Sequence, residues 1–264
     1  MESKNRTVWI ILAVIVVVLC CCVLAVAAVG VGWFATQPLD WTWSTTLQSE
    51  RSEEAFAVGD APSLEIDHFA GNVTIRIGES GTNRVAATRK ARSQNALDRI
   101  EVEVSERDGG LVIRTERPST FSNASVELEI TAPASTRVDT DTGAGNVEVD
   151  GITGEIDVHT GAGDTDIRGA AGTTRLDTGA GTIRYQGTPQ GECRFETGAG
   201  NIRLMLPADV NVRIDLDTGV GNIDVDFSVD GQVTRREVRG VIGSGAQGTI
   251  YAHTGTGNID VVHR

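Results

Sequence analysis

Paired carboxylates at a fixed spacing, scattered histidines, one isolated cysteine and a glycine-rich run are the residues of this chain that could do chemistry. Asp139 and Asp157 occupy equivalent places in two near-identical stretches. Two carboxylates brought side by side are what acid–base cleavage of a glycosidic bond uses. Almost every repeat offers a similar carboxylate, however, and none is set apart by an irregular loop, a neighbouring histidine and an aromatic sugar platform. His159 and His253 sit in a column where other repeats carry Asp or Glu, and His68 falls in a strand-like stretch, so all three read as surface residues. Cys193 aligns with Ile156 and Ile214 and reads as core, the usual place of a free cysteine. Gly243-Ser244-Gly245-Ala246-Gln247-Gly248 matches a dinucleotide-binding G-x-G-x-x-G. The next residues, TIYAHT, are strand-like and offer no helix N-terminus to hold a pyrophosphate. A calcium roll of nine-residue repeats is disfavoured as well, because Arg, Thr or Asn often fills the ligand places. The acidic column Asp141, Asp177, Glu196 and Asp217 therefore reads as solvated charge, with an incidental cation as the alternative. No catalytic, cofactor-binding or metal-binding residue is assigned, and the chain is expected not to be an enzyme.

The elements that carry these residues repeat. A T-G-x-G motif places its Thr at 142, 160, 178, 197, 218 and 254, giving spacings of 18, 18, 19, 21 and 36, the last being twice 18. Self-similarity at a fixed period means one supersecondary unit stacked on copies of itself. Aligned, the units place Thr140, Val158, Leu176, Phe195, Leu216 and Ala252 in one inward column before the motif. Val147, Thr165, Ile183, Ile202, Ile223 and Ile259 form a second, and Val149, Ile167, Tyr185, Leu204, Val225 and Val261 a third. The charged positions between them face water, because successive strand side chains take opposite faces. Alternation also runs through LEIDHF, NVTIRI, RIEVEV, LVIRT and VELEIT, and only residues 92–99 suggest a turn of helix. The expected fold is all-β, a parallel β-solenoid with coils of about 18–21 residues.

The motif is then a corner. Its glycines, Gly143 and Gly145, Gly161 and Gly163, Gly179 and Gly181, Gly198 and Gly200, Gly219 and Gly221, and Gly255 and Gly257, allow a turn closed to residues with a Cβ. Asn146, Asn201, Asn222 and Asn258, with Asp164 and Thr182 as substitutes, follow the second glycine. Stacked side chains there are expected to hydrogen-bond up and down the solenoid and to satisfy corner backbone groups that no ladder reaches.

Ahead of the repeats, residues 8–35 carry no charged side chain. A helix of that length spans roughly 42 Å, enough to cross a hydrocarbon layer of about 30 Å with tilt. Trp9, Trp33 and Phe34 suit the interfaces, and Lys4 and Arg6 mark residues 1–7 as a cytoplasmic tail. The alternative is a cleaved signal peptide ending near Ala25-Val26-Ala27, but the apolar run continues past that point. Cys20, Cys21 and Cys22 lie within the run, where packing or reversible acylation is expected. Residues 36–60 read as a juxtamembrane linker and 61–264 as the solenoid. The formal net charge is −13; residues 1–35 hold Glu2, Lys4 and Arg6, so the remainder carries −14. That field repels nucleic acid and anionic lipid.

The N-terminal apolar segment, the strand pair LEIDHFAGNVTIRIG, the strand VELEITAP and the run STRVDTDTGAGNVEVDGITGEIDVHTGAGD together resemble the DUF4097-type bacterial putative-adhesin family, related to the head-GIN-domain adhesins. The resemblance spans roughly residues 55–262. It implies a cell-surface or membrane-anchored β-solenoid assigned to adhesion, some relatives being associated with envelope stress, and it supplies no catalytic motif. Residues 228–249 depart from the regular coil.

The expected protein is a single-pass cell-membrane protein with its N-terminus cytoplasmic, its C-terminal domain extracytoplasmic and its bilayer contact through residues 8–35. That domain is a surface adhesion or envelope-interaction module, binding an envelope polysaccharide or a surface or membrane protein. The alternatives are an accessory envelope-stress sensor acting through a partner, or a self-assembling scaffold. Outward columns running Asp139, Asp157, Arg175, Arg194, Asp215 and Glu148, Asp166, Arg184, Arg203, Asp224 turn basic at the third and fourth coils. Arg175, Arg184, Arg194 and Arg203 are therefore the expected partner contacts, unless they only pair charges between coils.

Overall fold

Strands of alternating burial build two sheets that face each other across one core. The computed structural model describes residues 47–116 and 123–264. The tail, the apolar run 8–35 with its cysteines, and Trp41 and Trp43 lie outside the described residues, and among those described no helix is long and apolar enough to cross a membrane. The chain runs through β1 (Gln48–Ala57), β2 (Ser63–His68), β3 (Val73–Ile77) and β4 (Thr82–Ala91) to a helical turn, α1 (Gln94–Leu97), capped by Ser93 Oγ, which accepts the Ala96 N–H. β5 (Glu101–Arg107), β6 (Gly110–Glu116) and β7 (Ser125–Ala132) follow. Five coils come next: β8 (Arg137–Ala144) with β9 (Val147–Asp150), β10 (Ile156–Ala162) with β11 (Thr165–Ala170), β12 (Thr174–Ala180) with β13 (Ile183–Gly187), β14 (Gly191–Ala199) with β15 (Ile202–Leu206), and β16 (Val212–Val220) with β17 (Ile223–Val225). A hairpin of β18 (Val229–Val233) and β19 (Glu237–Ile242) leads to a last coil, β20 (Gly248–Thr256) with β21 (Ile259–His263).

The A sheet has 10 strands, ordered β1-β4-β7-β3-β9-β11-β13-β15-β21-β17, and the B sheet 11, ordered β18-β19-β16-β20-β14-β12-β10-β8-β2-β6-β5. The inward columns are buried as their alternation demands, with Ile223 and Val225 half-buried on the edge strand β17. Cys193 is fully buried and is the free cysteine among the described residues. Tyr185 and Phe195 form the bulkiest packing contact, their ring centroids 5.0 Å apart at 52°.

Chain order and spatial order differ at both ends. Rather than adding to the end, β20 and β21 lie between β14/β15 and β16/β17, and β2/β3 is likewise flanked by β6/β7 and β8/β9. Both insertions keep the ladder register: Thr254 pairs with Thr197 on one side and Thr218 on the other, and His68 pairs with Thr142. Identical corner chemistry lets any coil stack on any other. Columns written in chain order therefore align the last coil's residues correctly but do not give its position in the stack, and the 36-residue interval is a hairpin excursion.

Two further expectations are corrected. Residues 48–57, assigned to the linker, form β1, which pairs antiparallel with β4 along its whole length. His68 is not on the surface but only 2% exposed, standing in the corner column that threonines otherwise fill, with its Nδ1 2.9 Å from Thr115 Oγ1.

The corner glycines divide their work. Those in second position have positive φ, +146° at Gly163, and a Cβ there would lie 2.1 Å from the Gly145 carbonyl oxygen of the neighbouring coil. Those in first position are needed for approach alone: a Cβ on Gly161 would lie 2.5 Å from the Gly143 oxygen. The stacked side chains form the expected ladder, each accepting a backbone N–H of the next coil. Asn146 Oδ1 accepts the Asp164 N–H at 2.9 Å and Asp164 Oδ1 the Thr182 N–H at 2.8 Å. Across the inserted coil, Asn201 Oδ1 accepts the Asn258 N–H and Asn258 Oδ1 the Asn222 N–H. The hairpin tip ends the ladder: Arg235 Nε donates to Asn222 Oδ1, Arg236 Nη1 to the Gly219 carbonyl, and the Ile223 N–H to the Arg235 carbonyl. These two arginines take the place of a further coil.

Candidate functional site

Parallel stacking sets outward side chains in rows across each sheet, one coil spacing of about 4.8 Å apart. On the B sheet the central row runs Asp139, Asp157, Arg175, Arg194, Tyr251, Asp215, Arg239, with each neighbour fixed by ladder register. On the A sheet the corresponding row runs Glu148, Asp166, Arg184, Arg203, Asp260, Asp224. The four arginines expected as one contact band thus divide between two outer faces, Arg175 and Arg194 on one and Arg184 and Arg203 on the other. The inserted coil supplies the next member of each row, so the B row passes through Tyr251 before it turns acidic.

Their electrostatic states differ. Arg194 is held by Glu196 at 2.9 Å and Glu192 at 3.3 Å, and its guanidinium carbon lies 4.9 Å from the centroid of the Tyr251 ring. Arg184 pairs with Asp164 at 3.1 Å. Among the described residues no ion pair reaches Arg175 or Arg203. Two of the four therefore do pair charges within the solenoid, and two are left over.

Around Arg175 the face is indented. One depression of about 400 Å³ is lined by Arg137, Glu155, Ile156, Asp157, Thr173, Arg175, Glu192 and Arg194. A second, of about 280 Å³, is lined by His159, Arg175, Leu176, Asp177, Arg194 and Glu196. Arg175 and Arg194 line both and form the ridge between them. Asp157 is half-buried; its Oδ1 is enclosed without a hydrogen-bond partner. Burial raises its pKa, repulsion from Asp139 adds to the rise, and Arg175 opposes it. Asp139 and Asp157 are thus direct ladder neighbours, as their spacing foretold. His159 lies 3.7 Å from Asp177 and His253 3.9 Å from Asp217, both pairs on the exposed surface. Among the described residues no group of three or more His, Cys, Asp or Glu side chains could hold a metal ion. Tyr251 was missed as a site residue, because only the spatial insertion of its coil brings it beside Arg194. The Gly243–Gly248 run is the turn that leads into strand β20, with no helix following it.

The geometry defines a two-sheet parallel β-solenoid whose B-sheet outer face is indented and charged. Residues 119–262 match the model of the Toastrack DUF4097 family, and the chain belongs to that family. Among solved structures it is similar to one described as a "putative cell adhesion protein" from Clostridium sporogenes, with 16% identity, a TM-score of 0.50, and coverage of 81% of this chain and 100% of that one. A "putative adhesin" from Bacteroides fragilis matches at 14% identity and TM-score 0.43, covering 81% of this chain and 97% of that one. A "putative lipid binding protein" from Parabacteroides distasonis matches at 12% and 0.36, covering 80% and 96%. At 16% identity the likeness to the Clostridium sporogenes structure is one of fold alone. No curated protein matches the chain.

Proposed function

We propose that this chain is a membrane-anchored, extracytoplasmic, non-catalytic surface-interaction module whose solenoid presents the outer face of the B sheet to an envelope or cell-surface partner. The observation that carries the reading is the exposed guanidinium of Arg175, which makes no ion pair among the described residues and lines two depressions of a face held together by ladder hydrogen bonds. Rigid presentation lowers the entropic cost of binding. The description of the Clostridium sporogenes structure as a cell adhesion protein agrees with this role. The uncharged run 8–35 is the proposed anchor, with residues 1–7 cytoplasmic.

Full-length chain in detergent, incubated with isolated envelope polysaccharide and with solubilised membrane proteins, tests the reading. Retention of polysaccharide or of a foreign cell surface supports it. Retention of one membrane protein alone would move the chain to the sensor class, and retention of nothing would contradict the role.

A further inference from the structure

We propose that the indented face centred on Arg175 binds a neutral, hydroxyl-rich glycan. This deepens the surface-interaction reading and rests on it. Arg175 and Asp157 are ladder partners on adjacent strands and line the same depression, one an exposed cation without an ion pair among the described residues and the other a half-buried carboxylate. A sugar hydroxyl both accepts and donates, so a vicinal pair can accept from the guanidinium and donate to the carboxylate at once. An anion satisfies only the first group, and a cation only the second.

The surroundings favour a neutral chain. Glu155 and Glu192 line one depression and Asp177 and Glu196 the other. With the charge of −14 borne by residues 36–264, they oppose a polyanion. Arg194, clamped by Glu192 and Glu196 over Tyr251, gives a fixed polar shelf beside the site. A depression of about 400 Å³ is of the size that small ligands fill. Because the depressions meet along the Arg175–Arg194 ridge, successive sugars can lie on either side of it.

The test uses the full-length chain in detergent and labelled oligosaccharides from neutral α- and β-glucans, mannan and galactan, with oligogalacturonate as the anionic probe, read by fluorescence anisotropy. Saturable binding of at least one neutral oligosaccharide is expected. R175A should weaken it about tenfold or more, the loss expected for a hydrogen bond to a charged group. D157N should weaken it measurably, and R203A, on the opposite sheet, should leave it unchanged. Thermal melting of each variant separates lost binding from lost fold. Preference for oligogalacturonate, or neutral binding that R175A leaves intact, would overturn the proposal. If no oligosaccharide binds while a cell surface still retains the chain, only the glycan assignment fails. If that retention is also absent, the surface-interaction reading fails with it.

Discussion

Gly163 combines a positive φ with a carbonyl oxygen 2.1 Å from where its Cβ would be, so neither rotation nor local breathing of one coil relieves a substitution. Gly163→Ala should destabilise the solenoid by about 3 kcal/mol or more, as substitutions that combine strain and overlap do. Gly59→Ala, with nothing within 4 Å of the added carbon, should be near neutral. Chemical denaturation of both variants measures the difference. The corner ladder has a gap at Thr182, whose side chain accepts no N–H from the coil beyond, whereas Asp164 and Asn146 each accept one. Thr182→Asn should supply the missing acceptor to Asn201 and stabilise by about 1 kcal/mol, read as a higher denaturation midpoint. His68 contributes to the acid response. Burial holds its pKa below 6.5 in the folded chain, so the unfolded chain binds the proton first as pH falls. Its contribution is intact above pH 6.5 and is lost as pH drops from there through the folded value. His68→Gln should flatten the dependence of melting temperature on pH over that window; an unchanged slope would contradict a role for His68 in it.

The β18–β19 hairpin has little to recommend it in sequence terms, having no repeat and two adjacent arginines at its tip, yet it terminates the stack. Arg235 and Arg236 satisfy Asn222 Oδ1 and the Gly219 carbonyl, groups that inner coils satisfy against a neighbour. Replacing both by alanine should lower stability by about 1–3 kcal/mol through unsatisfied acceptors and should make self-association concentration-dependent, measurable by sedimentation. A variant that stayed monodisperse at high concentration would show that β19 alone protects the end. The regular coils were legible because their columns repeat Thr, Gly and Asn at fixed intervals. The hairpin was not, because its capping works through hydrogen bonds made once. β1 was illegible for a related reason: nine of its ten residues are exposed, so it carries no apolar alternation and its pairing with β4 rests on backbone bonds and ion pairs such as Arg84–Glu53. His68 was misplaced because its alignment with the corner threonines becomes visible only once HFAGN is set beneath TGAGN as a coil in its own right.

At the scale of the whole molecule, the order of coils was the property least accessible to sequence, since coils of one register and one corner chemistry carry no label of position. That order decides the site. Insertion of β20 puts Tyr251 beside Arg194, while the separation into two sheets puts Arg184 and Arg203 on the face opposite Arg175 and Arg194. The four expected basic positions therefore divide between two surfaces instead of forming one band. Retention of full-length chain by isolated envelope, with R175E/R194E compared against R184E/R203E at matched thermal stability, is the decisive measurement. If the B sheet carries the interaction, the first pair abolishes retention and the second leaves it near the unmodified level. Equal loss in both, or loss only from R184E/R203E, would contradict an interaction seated on the B sheet.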